Sequence, residues 1–317
     1  MPSDADRQLA EEAAGHYGVF TLADARRAGL RRHQIRERVE NTWLAYYEGV
    51  FRIAGTPDTW LGRLYAATKA AEPGGAVSHR SGGAVYELPG GTRDLIELSC
   101  LRWKRARHAG LVVHESRRLD ERDITTVDGI PVTTPARTIL DLASCFPSER
   151  YLEYVLQAAR RKRLITYESM RATFDRHARR GLKGVRALRV VLDGWDPASR
   201  PTESEMETRL LQILRDHGLP EPVTQFEIRD GAGELVARTD AALPQWRIVI
   251  EYDSKQEHSD EFQVSRDSRR RNRIIAAGYA PLVARHRDLV TGGHELYREI
   301  VETRTNWRRR VGEYPTE

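Results

Sequence analysis

Four acids toward the C-terminal end of this 317-residue chain carry the strongest chemical signal: Glu207, Asp240, Glu251 and Asp253. Residues 246–254 (WRIVIEYDS) read as a strand. Side chains alternate along a strand, so Glu251 and Asp253 share a face that Lys255 continues, while Ile248, Ile250 and Tyr252 take the other. Residues 234–243 read as a second strand, and a hairpin at Leu243-Pro244-Gln245-Trp246 sets Asp240 beside Glu251. Carboxylates that converge within an apolar strand are costly unless something neutralises them. A hard divalent cation does so, and Mg2+ or Mn2+ bound through oxygen can activate a water against a phosphodiester. Asp240, Glu251 and Asp253 are the expected metal ligands. Glu207 projects from the preceding helix to complete the site, and Lys255 or His258 meets developing charge or handles a proton. The plainer alternative is a surface strand whose acids pair with the arginines that follow it.

The elements that must position these groups are legible around them. Residues 202–219 form an amphipathic helix with Thr202 as its N-cap, residues 223–230 a strand, and residues 263–279 a basic helix that offers Arg266, Arg269, Arg270 and Arg273 to phosphate. At the other end of the chain, a helix over 6–16 is followed by one that Thr21 starts and Gly29 ends, then by an arginine-rich helix over 31–42. Residues 42–55 have the aromatic and β-branched content of a two-stranded wing turning at Glu48-Gly49. This is the winged helix-turn-helix order. A helix fits the major groove of duplex DNA, and Arg31, Arg32, Gln34, Arg36 and Arg38 are its candidate contacts. The alternative is a winged helix that binds protein, with solvated arginines.

Between these ends lie helices over 61–71 and 76–88, strands over 94–100, 111–116 and 129–134, and helices over 135–144 and 151–164, with Thr134 capping and Pro135 opening the first of the last pair. His79, His108 and His114 are too scattered for a metal site, and Ser78-His79 lacks the glycine elbow and placed acid of a nucleophile. Residues 176–186 read as an exposed basic connector. The expected class is α/β in the α+β multidomain sense: a winged helix-turn-helix domain (1–56), a middle α/β domain (57–197) and a C-terminal restriction-endonuclease-like α/β domain (198–317).

The overall charge is modest for a nucleic-acid binder, and what matters is where the arginines sit. Lys and Arg number 51 against 46 acids, a net charge of +5, with arginines bunched at 26–38, 158–189, 266–273 and 302–310. No apolar run reaches the roughly 18 residues that span a bilayer, and the first residues lack a signal peptide's basic stretch and apolar core. Two cysteines, Cys100 and Cys145, suggest neither a disulfide framework nor a zinc-thiolate site. A cytoplasmic, nucleoid-associated protein with no membrane and no small-molecule cofactor is expected, with double-stranded DNA as partner and a homodimer as a further candidate assembly.

Two resemblances sharpen this reading. Glu207 to Leu214, Ala237 to Asp240, Val249 to Asp253, His258, Asp267 with Arg270, and Gly278-Tyr279 resemble the domain related to very-short-patch-repair endonucleases, within the PD-(D/E)xK nuclease superfamily. The resemblance covers roughly residues 202 to 295. It implies a Mg2+-dependent DNA endonuclease or nickase, with Asp240 as central metal-binding acid, Glu251 and Asp253 as second-strand acids, and Glu207 and His258 as accessory groups. Asp253 stands where the superfamily has a lysine two residues after the acid; Asp253-Ser254-Lys255 restores the spacing in a shifted register, with Ser254 where relatives have glycine. The N-terminal two thirds resembles the AbiEi-type antitoxins of type IV toxin-antitoxin systems through Gly18 to Thr21, Ala28 to Leu30, Gly49 to Phe51, Ser78 to Ser81 and Ile130 to Thr138. That resemblance implies promoter binding, a cognate toxin as partner, and a non-catalytic transcriptional regulator with a degenerate nuclease fold as the alternative function.

Overall fold

The computed structural model describes residues 3–71, 74–103, 108, 110–197, 202, 204–253 and 261–311, and for 205, 253, 261–267 and 307–311 the backbone course alone. The chain is a multidomain α/β protein of two compact units, one made of residues 1–159 and 163–194, the other of 160–162 and 195–317. No helix among the described residues is long and apolar enough to cross a membrane.

The first unit begins with helix α1 (Asp4–Ala14), strand β1 (Val19–Thr21), helices α2 (Leu22–Arg27) and α3 (Arg32–Asn41), and the hairpin β2 (Trp43–Tyr47) and β3 (Val50–Ile53). Capping boxes start α1 and α2: Ser3 and Thr21 accept from the amides of Asp6 and Asp24, whose carboxylates return to the capping residues. Gly49 takes the left-handed conformation (φ +74°) that the tight turn of the hairpin requires. The antiparallel order β1-β3-β2 completes the winged helix arrangement. Phe20, Trp43 and Phe51 form its aromatic core with Leu9, Ala25, Leu30 and Ile35, Phe20 meeting Trp43 edge-on at 4.7 Å.

The expected boundary at 56/57 does not separate compact units. Val19 and Phe20, like Val50 and Phe51, are consecutive and all buried, so this small sheet is covered on both faces. Phe20 and Phe51 meet the three helices, whereas Val19, Tyr47 and Val50 pack with Leu64 and Ala67 of helix α4 (Trp60–Ala70). The same core continues into a five-stranded sheet. Its elements are β4 (Ala76–Val77), α5 (His79–Val85), β5 (Ile96–Cys100), β6 (Leu111–Glu115), β7 (Ile124–Val127), β8 (Ile130–Thr133), α6 (Pro135–Cys145), α7 (Glu149–Arg161), α8 (Tyr167–His177) and α9 (Val185–Asp193), with strand order β6-β5-β4-β8-β7. Strand β7 is an addition to the sequence reading; it pairs with β8 through a turn at Asp128-Gly129, both at positive φ. Gly184 opens α9 at φ +81°, where a Cβ would lie 2.0 Å from the Ala143 carbonyl oxygen, so α9 packs on α6 only with glycine there.

The second unit runs α10 (Glu205–Asp216), β9 (Val223–Arg229), β10 (Leu235–Leu243), β11 (Ile248–Asp253), α11 (Glu261–Ala276), β12 (Ala280–Arg285), α12 (His286–Val290) and α13 (His294–Val311). The order β12-β11-β10-β9 is antiparallel except for β11 with β12, which α11 joins as a parallel crossover. Ala241, Leu243, Ile248 and Ile250 pack against Leu210 and Leu214 of α10 and Leu296 and Ile300 of α13. Ala242 and Val249 pack against Ile274 of α11 on the opposite face. The N-cap of α10 is Ser204, whose hydroxyl accepts from the Glu207 amide, rather than Thr202, whose hydroxyl is shared with that of Thr208.

Candidate functional site

Strands β10 and β11 part at the predicted acids. Their antiparallel register runs Leu243 to Ile248, Ala242 to Val249 and Ala241 to Ile250, which brings Asp240 level with Glu251 at the next step. Beyond it β11 continues only with β12, as far as Asp253 against Arg285. The Tyr252 amide, freed from β10 by this fork, donates instead to the Asp240 carboxylate at 2.7 Å. Alternation turns Asp240 and Glu251 to the face that α11 covers, because Ala242 and Val249 face α11.

Helix α11 answers with a cation. The Arg270 guanidinium pairs with Glu251 at 2.5 Å and donates to the Arg238 carbonyl at 2.7 Å, so it spans the fork. Arg269 and Arg273 of the same helix are exposed. Of Arg266 and Asp253 the structure gives the backbone alone, in α11 and at the end of β11; Lys255 and His258 lie outside the described residues. Glu207 is buried near the start of α10 and accepts from the Gln225 side-chain amide at 3.0 Å. Gln225 is itself buried, and it is the β9 residue level with Asp240, between the pairs Thr224 to Ala241 and Phe226 to Thr239. Its φ of +49° departs from strand geometry. Gln225 is a site-region residue that sequence reasoning missed, because a glutamine in an alternating strand has no local mark. No group of three His, Cys, Asp or Glu side chains among the described residues is arranged to hold a metal. Two carboxylates side by side at a fork remain a fitting pair of hard oxygen donors.

The five predicted contacts on α3 divide into two groups. Arg31, Arg32 and Arg36 are exposed, Arg36 in a loose solvent-side pair with Glu40 at 3.3 Å. Gln34 and Arg38 are occupied. The Gln34 side-chain oxygen accepts from the Arg31 amide at 2.8 Å and closes the start of the helix. Arg38 donates to both carboxylate oxygens of Asp6, at 2.6 and 2.8 Å, and to the Gln34 carbonyl. This two-pronged bond holds the Asp6 carboxyl well below the usual carboxylate range and ties α3 to α1.

No family model matches the chain. Two Mycobacterium tuberculosis proteins from different strains, the uncharacterized proteins MT2308 and Rv2248, are each 32% identical over 170 residues, 54% of this chain and 59% of theirs. The chain thus spans about three fifths of the length of these curated relatives. Among solved structures, the RV2827C protein of Mycobacterium tuberculosis is 16% identical, covering 62% of this chain and 79% of its own, at a TM-score of 0.38. A likeness that loose carries no argument.

Buried polar networks in the first unit were not foreseen. Asp123 is fully buried and accepts from Arg137 at 3.1 Å, Arg176 at 3.0 Å and His177 at 2.9 Å. Burial alone would raise its pKa, but the bonds from His177 and Arg176 hold it down at about 2. The segment around Arg176 therefore corrects the expectation of an exposed connector: its first two residues are anchors. On β5, buried Glu97 accepts from the Arg80 amide at 2.7 Å and guanidinium at 3.1 Å, and it meets His114 at 3.4 Å. Burial again opposes the charge, and His114 and Arg80 hold the carboxyl at about 2. His79 stacks on His114 with ring centres 3.5 Å apart and shares a 2.9 Å hydrogen bond with the buried Ser78 hydroxyl. These groups tie α5 to the sheet.

Proposed function

We propose that the chain is a DNA-acting protein in which α3 and the wing grip double-stranded DNA and the fork between β10 and β11 supports metal-dependent hydrolysis of a phosphodiester bond. The observation that carries the reading is the side-by-side placement of Asp240 and Glu251 where their strands part, with the basic helix α11 against them. Asp240 and Glu251, with Asp253 two residues further on, would hold Mg2+ or Mn2+; when bound, such an ion polarises a water or a phosphoryl oxygen. The exposed Arg31, Arg32 and Arg36 would bind phosphate or base edges, and Arg269 and Arg273 a neighbouring stretch of backbone. A cytoplasmic site close to the nucleoid accords with such a ligand.

The test is incubation of wild-type and Asp240→Ala protein with supercoiled, linear and mismatched DNA in Mg2+, Mn2+ or EDTA. Metal-dependent nicking that vanishes in the variant, with gel shifts retained, supports the reading. One observation favours a second function: Arg270 pairs with Glu251 and offsets its charge, as befits a non-catalytic regulator that keeps a nuclease-like platform. Intact shifts with no cutting of any substrate would favour that regulator, of the antitoxin type with a toxin partner.

A further inference from the structure

Arg270 is the group in the fork that joins a carboxylate on one strand to a backbone carbonyl on the other. Its guanidinium pairs with Glu251 and donates to the Arg238 carbonyl, yet its side chain is 41% exposed and that of Glu251 28%. A guanidinium offers five donors in a planar fork, a match for carboxylate and phosphate alike. Exposed Arg269, Arg271 and Arg273 flank it on α11, so the potential beside the fork is positive and attracts phosphate. While Arg270 is seated on Glu251, its positive charge occupies one of the two carboxylates that a divalent cation would use and repels that cation.

We propose that Arg270 couples the two ligands of this site: it holds Glu251 until a backbone phosphate of the nucleic acid draws the guanidinium away, and only then is Glu251 released to the divalent cation. The inference rests on the nuclease-type reading of the fork. In this arrangement Arg270 is a positioning residue whose effect reaches the reaction through Glu251, and the protein without DNA binds the cation poorly. Thermodynamic linkage demands the reciprocal effect, in which the cation strengthens DNA binding by the factor by which DNA strengthens cation binding.

The test uses the full chain and Mn2+ as probe, its free concentration read by electron paramagnetic resonance. Arg270→Ala without DNA should bind Mn2+ about tenfold more tightly than wild type, within the range usual for coupled sites. Glu251→Gln added to Arg270→Ala should cancel that gain, and Arg270→Lys, which keeps a charge but loses the planar fork, should fall between. In fluorescence anisotropy with a short duplex, Mn2+ should tighten DNA binding by wild type more than by Arg270→Ala. Equal Mn2+ affinity in wild type, Arg270→Ala and Arg270→Lys, together with cleavage that still depends on Asp240, would overturn the coupling and leave the nuclease reading standing. Absence of Mn2+ binding in every variant would overturn both.

Discussion

Asp123 shows how much one side chain can decide. It is fully buried, and three cationic or protonatable partners from α6 and α8 converge on it. Removing it takes this carboxylate from Arg176 and leaves Arg137 with Asp141 alone, in a medium that solvates charge badly. Asp123→Ala should therefore lower the stability of the first unit by about 3 kcal/mol, seen as a fall in Tm of roughly 10 °C. Acid should act on the same groups. Both Asp123 and Glu97 sit at about 2 in the folded chain, below their ordinary values of 3.8 and 4.5. A depressed folded pKa contributes stability that is complete above the unfolded value and lost as pH falls toward the folded one. The urea midpoint should be flat down to about pH 5 and then fall, as stability drops by roughly 2 kcal/mol for Asp123 and roughly 3 kcal/mol for Glu97. A midpoint unchanged between pH 6 and pH 3 would sink this account. Neither acid had a signature in the sequence, because the partners of Asp123 lie 14, 53 and 54 residues away.

At the scale of elements, α3 and the β10–β11 fork do separate jobs with similar residues. The spacing of α3 makes a helix whose arginines point outward, and Arg31, Arg32 and Arg36 do so, whereas Arg38 turns to Asp6 of α1. Substitutions on this helix should separate accordingly. Arg32→Ala with Arg36→Ala should weaken duplex binding and flatten its dependence on log salt by roughly two units, one per phosphate contact. Arg38→Ala should leave that slope unchanged and cost about 1–2 kcal/mol of stability through loss of a half-buried, two-pronged ion pair. Loss of slope in Arg38→Ala would show that it contacts DNA after all. In the fork, the strand identities and the pairing of Asp240 with Glu251 were legible, since alternation and a hairpin turn suffice to set register. Which of several arginines on α11 meets Glu251 was not, because that depends on how the helix is rotated over the sheet, to which its own spacing is nearly indifferent.

For the whole molecule, the division into two units changes what can be cut apart. Val19, Tyr47 and Val50 of the winged sheet share a core with Leu64, Val77, Leu98 and Ile130. A fragment of residues 1–194 should unfold in one cooperative transition, whereas a fragment of residues 57–194 should expose that core and fail to fold, with calorimetry or near-ultraviolet circular dichroism as the readout. Two independent transitions in the 1–194 fragment would restore the three-domain expectation. By itself the sequence determined the elements of the winged helix and the strands that carry the acids, though not β7, α8, α9 or α12: the Thr21 cap, turn glycines, the wing hairpin and the carboxylate pair are local patterns that the backbone obeys within a few residues. Only the tertiary structure decided that the winged sheet is buried on both faces, that Asp123 and Glu97 are charged hubs and that Arg270 bridges the acids. Those outcomes depend on contacts between segments distant along the chain, where the free energy comes from mutual burial and charge pairing, and no local spacing encodes the partner.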